Sequence, residues 1–399
     1  MFKLIDKAFL ILLCLGLLIM PFVFWPWAKI AYEIPRVVFV KYWLEIVILC
    51  GILFIYRKKN NNKPDKRLIY PVLLLGLTAI LSSLLGQDIY KSYFGNYFRG
   101  DGLLTLFHLI GLFLILSFYW KKNWFMSVAG SISLASFLTS LWSGYLGIRL
   151  YWFDDKTVSN WQGAIGGFFG QPNFLTGYLL VTMSFYLYFY LKTKRKAVKW
   201  LVITAMVIQS IAIILTRAWI GIIGLVFFGL LTVLTISKNK TVKITTVLVT
   251  FLTVLTVFFF YAQSVNKQGY VAESRQRIYT KVLMAGLKRP IFGWGWANVD
   301  YAFDSVDYPI KYSNDVYVDK AHSEFLEILA TTGIIGLIIY SSLWLIFLKK
   351  LFVLFNKDRI IGGVLITTAI MYLFHSQTNI MSIAEEIIFW IVLGITASG

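Results

Sequence analysis

The feature that most constrains this chain is a succession of apolar runs, each about long enough to cross a bilayer. A spanning helix needs roughly 20 mostly apolar residues. Runs of that kind recur at 8–25, 37–56, 68–86, 102–120, 124–144, 173–191, 200–216, 218–236, 244–262, 322–348, 360–375 and 384–398. Of the 399 residues, 58% are hydrophobic and only 14% charged, which excludes a soluble globular enzyme and a disordered chain. Cys14 and Cys50 both fall inside apolar runs, so neither a disulfide framework nor a zinc site is indicated. The first run follows Lys3 and Lys7 as a signal peptide would. No small-residue cleavage site follows Pro21-Phe22-Val23-Phe24-Trp25, however, so it reads as a retained anchor. The expected fold class is all-α: a polytopic membrane protein with about twelve transmembrane helices.

Charge placement then predicts sidedness. With the N-terminus cytoplasmic, every second connection faces the cytoplasm. Those connections carry 22 of the 38 Lys and Arg residues, among them Lys121-Lys122, Lys194-Arg195-Lys196 and Lys349-Lys350. Their acidic neighbours are Asp6, Asp65 and Asp358 alone, so one face holds the whole formal charge of +19. That is the positive-inside pattern, with both termini cytoplasmic, and not a contiguous basic tail for nucleic acid. The opposite face carries the informative loops, at 26–36, 87–101, 145–172 and 263–321. Most Trp and Tyr residues near span ends read as the ordinary interfacial belt. Lys41 and Glu45 form an i,i+4 couple inside the second run and read as a structural ion pair.

On the outer face, Arg217 stands in Leu215-Thr216-Arg217-Ala218-Trp219 with no acid within twenty residues. A cation there either snorkels to the interface or serves as an anion clamp. In the long loop, Arg275-Gln276-Arg277-Ile278-Tyr279 opens a segment with apolar residues at Ile278, Val282, Leu283, Ala285 and Leu287. That spacing predicts a short amphipathic helix. Pro290 stops it, and Phe292-Gly293-Trp294-Gly295-Trp296 predicts a turn needing glycine freedom. Arginine suits phosphate because its planar fork donates bidentate, charge-assisted hydrogen bonds. His322, in Asp319-Lys320-Ala321-His322-Ser323-Glu324, stands where this loop re-enters the membrane. Histidine is the side chain able to take and return a proton near neutral pH. No His or Cys spacing suited to a metal occurs on this face, so neither a metal nor another cofactor is expected.

These residues together resemble the O-antigen ligase/polymerase superfamily of polytopic membrane glycosyltransferases. The likeness is carried by Leu215-Thr216-Arg217, Arg275 to Tyr279 with Pro290-Ile291-Phe292-Gly293-Trp294-Gly295, Ala321-His322-Ser323, and Gly333-Ile334-Ile335-Gly336-Leu337. It runs over about residues 200–345, and Arg99-Gly100-Asp101 and Gly170-Gln171-Pro172-Asn173 extend it upstream. The chain departs from the family at His322-Ser323, where members commonly have His-Asn, and at Gln171-Pro172-Asn173, where they often have Asn-Pro-Asn.

The resemblance implies a GT-C-like fold and transfer of a glycan from a polyprenyl-diphosphate carrier, outside the cytoplasmic membrane and without metal. It implies His322 as base on the acceptor hydroxyl and Arg217 and Arg275, with Arg277 as the off-spacing neighbour, on the diphosphate. Arg99, Asp101, Asn173, Trp294 and Trp296 are then glycan or acceptor contacts. The acceptor is a glycan, lipid or protein. The organisation expected is an N-terminal set of helices over 1–199, a ligase/polymerase-like core over 200–348 that includes the loop 263–321, and C-terminal helices over 349–399. A lipid-linked oligosaccharide flippase or other transporter is the alternative; a non-catalytic assembly subunit is a third reading.

Overall fold

A computed structural model describes residues 2–57, 63–159, 164–267, 275–307 and 317–399. Among them there is no β-strand. The helices in chain order are α1 (Phe2–Ile19), α2 (Glu33–Arg57), α3 (Lys66–Leu84), α4 (Ile89–Phe94), α5 (Leu103–Tyr119), α6 (Phe125–Trp152), α7 (Pro172–Thr182) and α8 (Ser184–Lys192). There follow α9 (Lys196–Leu215), α10 (Trp219–Ile236), α11 (Lys240–Lys267), α12 (Arg275–Lys288), α13 (Val299–Asp304), α14 (Glu324–Lys357), α15 (Arg359–Ser376) and α16 (Ile383–Ala397). A helix stands at each expected span position. By length and composition, seven segments among the described residues can cross a membrane: Lys66–Leu84, Lys122–Trp152, Pro172–Lys192, Lys196–Leu215, Trp219–Ile236, Glu324–Lys357 and Arg359–Ser376. This is a multi-pass membrane protein.

One end of the bundle is tied by the three acids singled out in the sequence. Asp6 pairs with Lys121, Asp65 with Lys350, and Asp358 with Lys122 at 2.8 Å. Asp65 and Asp358 also cap α3 and α15 by accepting from backbone N–H groups in the first turn. At the other end lie α12, the short helix expected in the long loop, and α13 behind it. The faces of α12 and α13 that carry Ile278, Val282, Ala285, Val299, Ala302 and Phe303 form a small core of their own.

That loop is attached to the bundle through a break in α14. Gly333 has φ +69° and ψ −166°, a conformation open to glycine and almost nothing else. The turn at 290–295 fills the gap. Trp294 N–H donates to Ala330 O at 2.8 Å, Gly295 N–H to Thr331 O at 3.0 Å, and Ile334 N–H to Pro290 O at 2.7 Å. A methyl group added at Gly333 lies 2.2 Å from Ile291 O. We expect Gly333→Ala to destabilise the protein by at least about 1–3 kcal/mol from backbone strain alone, with the clash adding to it. Thermal unfolding of detergent-solubilised protein measures this; an unchanged midpoint refutes the role given to the break.

Candidate functional site

Three segments converge above the bundle: the connection 95–101 before α5, the stretch 317–323 before α14, and the polar turn 377–382 between α15 and α16. Each enters its helix through extended backbone, which frees side chains to face one another. Between them and the helices beneath lies a cavity of about 120 Å³. Its polar wall includes Arg99, Asp101, Lys320, Ser323, Glu324, Glu327, Asn379 and Glu386, and its floor Leu106, Tyr340, Tyr372, Phe389 and Trp390.

The wall is a network of ion pairs. Lys320 bridges Asp101 and Glu327, and Arg99 Nε donates to Asp319 at 2.8 Å. Burial by itself raises the Asp101 pKa, but the Lys320 ammonium and the N–H of Asn96 hold that carboxyl below the usual range. Burial likewise works against the Lys320 charge, and the carboxylates of Asp101 and Glu327 outweigh it, leaving its pKa above the ordinary value. Glu386 accepts from Tyr372 OH at 2.7 Å and from Trp390 Nε1 at 3.3 Å.

Beside this cavity the structure brings His322 and Arg275 together. Arg275, the first residue of α12, donates to Thr378 O and, at 2.9 Å, to Asn379 Oδ1. Tyr279, one turn on, donates to His322 O at 3.1 Å. Ser323 Oγ donates to Gln377 Oε1 at 3.0 Å, closing the circuit between the two segments. His322 has φ +55°, which an L-residue with a bulky side chain seldom adopts. Its Nδ1 lies 3.1 Å from Lys320 O. A carbonyl can only accept, so Nδ1 carries the hydrogen and Nε2 keeps its lone pair. Burial first, and then the Arg275 cation, push the His322 pKa down to about 4.

Arg217 lies elsewhere. It occupies the turn between α9 and α10 with φ +55°, is exposed, and stacks its guanidinium 3.9 Å from the Tyr151 ring. No hydrogen bond or ion pair joins it to Arg275 or His322 among the described residues. Arg277 is buried, with its guanidinium 5.8 Å from the Phe303 ring in the loop core. Asn173 is half-buried in the first turn of α7. Trp294 is buried and donates to Ala285 O at 2.8 Å, away from the cavity, whereas Trp296 lines the cavity and donates to Asp101 O at 2.9 Å. Arg99 lines it too, over the Phe174 ring at 5.2 Å.

Sequence reasoning missed Lys320, Glu327 and the Gln377–Asn379 turn. A signal for the turn exists: Gln377-Thr378-Asn379 is an uncharged polar triplet between two apolar runs. Nothing local marks Lys320 as the partner of Asp101, 219 positions away. His375 has a partner ten positions on, Glu385 at 2.8 Å, with both side chains fully buried against Gly177.

The lowered His322 pKa has a consequence for stability. Between its ordinary value of 6.5 and about 4, the unfolded chain binds a proton that the folded site does not. Stability contributed here is therefore present above pH 6.5 and lost as pH falls toward 4. We expect the unfolding midpoint of His322→Gln to fall less than that of the wild type over this window. Parallel acid-stability curves for the two proteins contradict the assignment.

No curated protein matches the chain. Residues 174–341 match the family model described as O-Antigen ligase. The matched segment begins earlier than the likeness expected from about residue 200 and holds Arg217, Arg275 and His322, while Arg99, Asp101 and Asn173 precede it. Over this segment, somewhat less than half of its length, the chain is similar to the O-antigen ligase family of membrane proteins.

Proposed function

We propose that the protein is a metal-independent, inverting glycosyltransferase. It moves a glycan from a polyprenyl-diphosphate carrier to an acceptor hydroxyl on the outer face of the cytoplasmic membrane. The proposal includes twelve spans in a GT-C-like arrangement with both termini cytoplasmic. The observation that carries this reading is that two residues of the O-antigen ligase segment are held close together, Arg275 by its bonds to the 378–379 turn and His322 by the bond from Tyr279, one turn along the same helix, to its carbonyl.

The chemistry follows from charge and lone pairs. The acceptor oxygen attacks the anomeric carbon from the side opposite the diphosphate. The bond from that carbon to the phosphate oxygen breaks, and its electron pair leaves with the lipid diphosphate. The acceptor proton passes to Nε2 of His322 and from there to water. One displacement inverts the anomeric centre. Arg275 spends two N–H groups on the 378–379 turn and keeps three for phosphate oxygens. Arg217, with no protein acceptor among the described residues, approaches the leaving group from the α9–α10 turn. The left-handed backbone of both Arg217 and His322 supports this placement, because strain of that kind persists where a side chain must be aimed.

The cavity suits a hydroxyl-rich acceptor better than a diphosphate. Glu324, Glu327, Glu386 and Asp101 outnumber Arg99 and Lys320 on its wall, and aromatic rings form its floor.

Purified protein given a lipid-diphosphate-linked glycan and an acceptor tests the reading. Formation of a new glycosidic bond supports it, whereas movement of the donor across vesicles without bond formation makes the protein a transporter. We expect Arg217→Ala and Arg275→Ala each to insert normally and lose about 10²–10³ in rate, and His322→Ala about 10²–10⁴. Transfer at the wild-type rate by any one of them removes that residue from the mechanism.

A further inference from the structure

Two buried groups that the proposed transfer does not use stand at the foot of the polar turn 377–382. His375 lies in the last turn of α15 and Glu385 in the first turn of α16. Both side chains are fully buried, and neither lines the cavity. Ionisable groups inside an apolar bundle are costly and call for a function.

The carboxylate of Glu385 spans the turn. Its Oε1 accepts from the N–H of Ser382 at 3.3 Å and from the Ser382 hydroxyl at 2.9 Å, the capping box of α16. Its Oε2 lies 2.8 Å from Nδ1 of His375. The other ring nitrogen, Nε2, is buried with no partner among the described residues, so Glu385 is the polar group that His375 faces. On the α15 side, the His375 carbonyl accepts from the N–H groups of Thr378 at 3.0 Å and Asn379 at 2.9 Å. The pair thus fastens the turn at both ends. A third helix leaves room for it: a methyl group added at Gly177 of α7 lies 2.2 Å from Cε1 of His375 and 2.3 Å from Oε2 of Glu385.

What the turn carries is Arg275. Thr378 O and Asn379 Oδ1 accept two of its N–H groups, and Gln377 accepts from Ser323, the neighbour of His322. A short loop held at both ends offers its acceptors in one direction; released at one end, it offers them in many.

We propose that His375 and Glu385 are positioning residues, which through the turn fix where the guanidinium of Arg275 stands without touching substrate themselves. Arg217, on a separate turn, lies outside their reach. The reaction they serve is the proposed transfer, whereas the tie to Arg275 rests on geometry alone.

Two variants and one label test this. Replacing the pair by apolar side chains of similar size, His375→Leu with Glu385→Met, removes the closure and fills the space; exchanges of this kind are often neutral or stabilising for a fold. His375→Asn instead keeps an N–H donor at the position of Nδ1. Arginine reactivity toward phenylglyoxal, read by peptide mass spectrometry on the full chain in native membranes, reports how firmly Arg275 is held, with Arg217 as internal reference. In the apolar pair we expect Arg275 to label about tenfold faster, the change for one lost hydrogen bond to a charged group, and Arg217 to label as before. Its kcat for transfer should fall about 10²-fold, the cost of a misplaced group. In an Arg275→Ala background the same exchange should cost almost nothing further. His375→Asn should label and turn over near the wild-type rates. Unchanged labelling of Arg275 in the apolar pair, faster labelling of Arg217 as well, an undiminished loss in the Arg275→Ala background, no rescue by His375→Asn, or failure of the apolar pair to insert would each overturn the proposal. Absence of transfer by the wild-type protein removes the transferase reading and leaves the labelling to decide the tie. Transfer by the wild type with unchanged labelling in the apolar pair removes the tie alone.

Discussion

A helix broken within an apolar bundle leaves backbone groups that lipid cannot satisfy, and the architecture of the site depends on how the break in α14 is filled. The turn at 290–295 supplies donors to Ala330 O and Thr331 O and accepts from Ile334 N–H, while Ser82 Oγ adds a donor to Thr331 O from α3. The break and the turn are each unsatisfied without the other. Their union anchors the extramembrane loop, brings Trp296 to the cavity and sets α12 where its first residue reaches the 377–382 turn. A buried guanidinium performs the same service at the end of α1. Arg36 is fully buried, donates to Phe168 O at 2.7 Å and Met20 O at 3.3 Å, and is charge-balanced by Glu33 at 3.1 Å. Glu33 in turn accepts from Ile383 N–H at 2.7 Å at the start of α16. Removing one partner of such a pair costs several kcal/mol, about 3–5, because the other charge stays buried.

These two devices explain why the site sits where it does. Both join loops at the same end of the bundle, the end away from the Lys-rich connections, and both act on segments adjoining the cavity. The cavity wall accordingly holds ion pairs that are complete, such as Lys320 with Asp101 and Glu327, while beside it stand groups whose hydrogen-bonding capacity is only partly used, such as Arg275 and His322. The complete pairs hold shape. The incomplete ones are available for chemistry.

Much of the fold was legible because its signals are local. Helix positions follow from apolar run length and the α12 stop from Pro290, whereas the break at Gly333 falls inside 322–348, which was expected as one uninterrupted span. The pairing of Asp6, Asp65 and Asp358 with lysines was foreshadowed by their isolation in basic connections. The site was legible in part. Arg275 and His322 could be picked by residue type and placement, but their shared partner, the Gln377–Asn379 turn, lies about 100 positions from Arg275 and carries no charge. Trp294 and Trp296 look equivalent in the chain and are not: two residues of backbone turn one indole into the loop core and the other toward the cavity. Lys41 and Glu45 illustrate the opposite error, since a favourable i,i+4 spacing gave way to His108 on a neighbouring helix.

The amino-acid order by itself determined that the chain is helical, membrane-embedded and similar over residues 174–341 to the O-antigen ligases, because run length and short motifs are properties of neighbours along the chain. Tertiary structure alone decided which carboxylate neutralises Lys320, that His322 keeps its lone pair on Nε2, and that Arg217 rests on Tyr151 instead of joining Arg275. Those outcomes depend on distances between residues far apart in sequence, and such distances are set only when the helices pack.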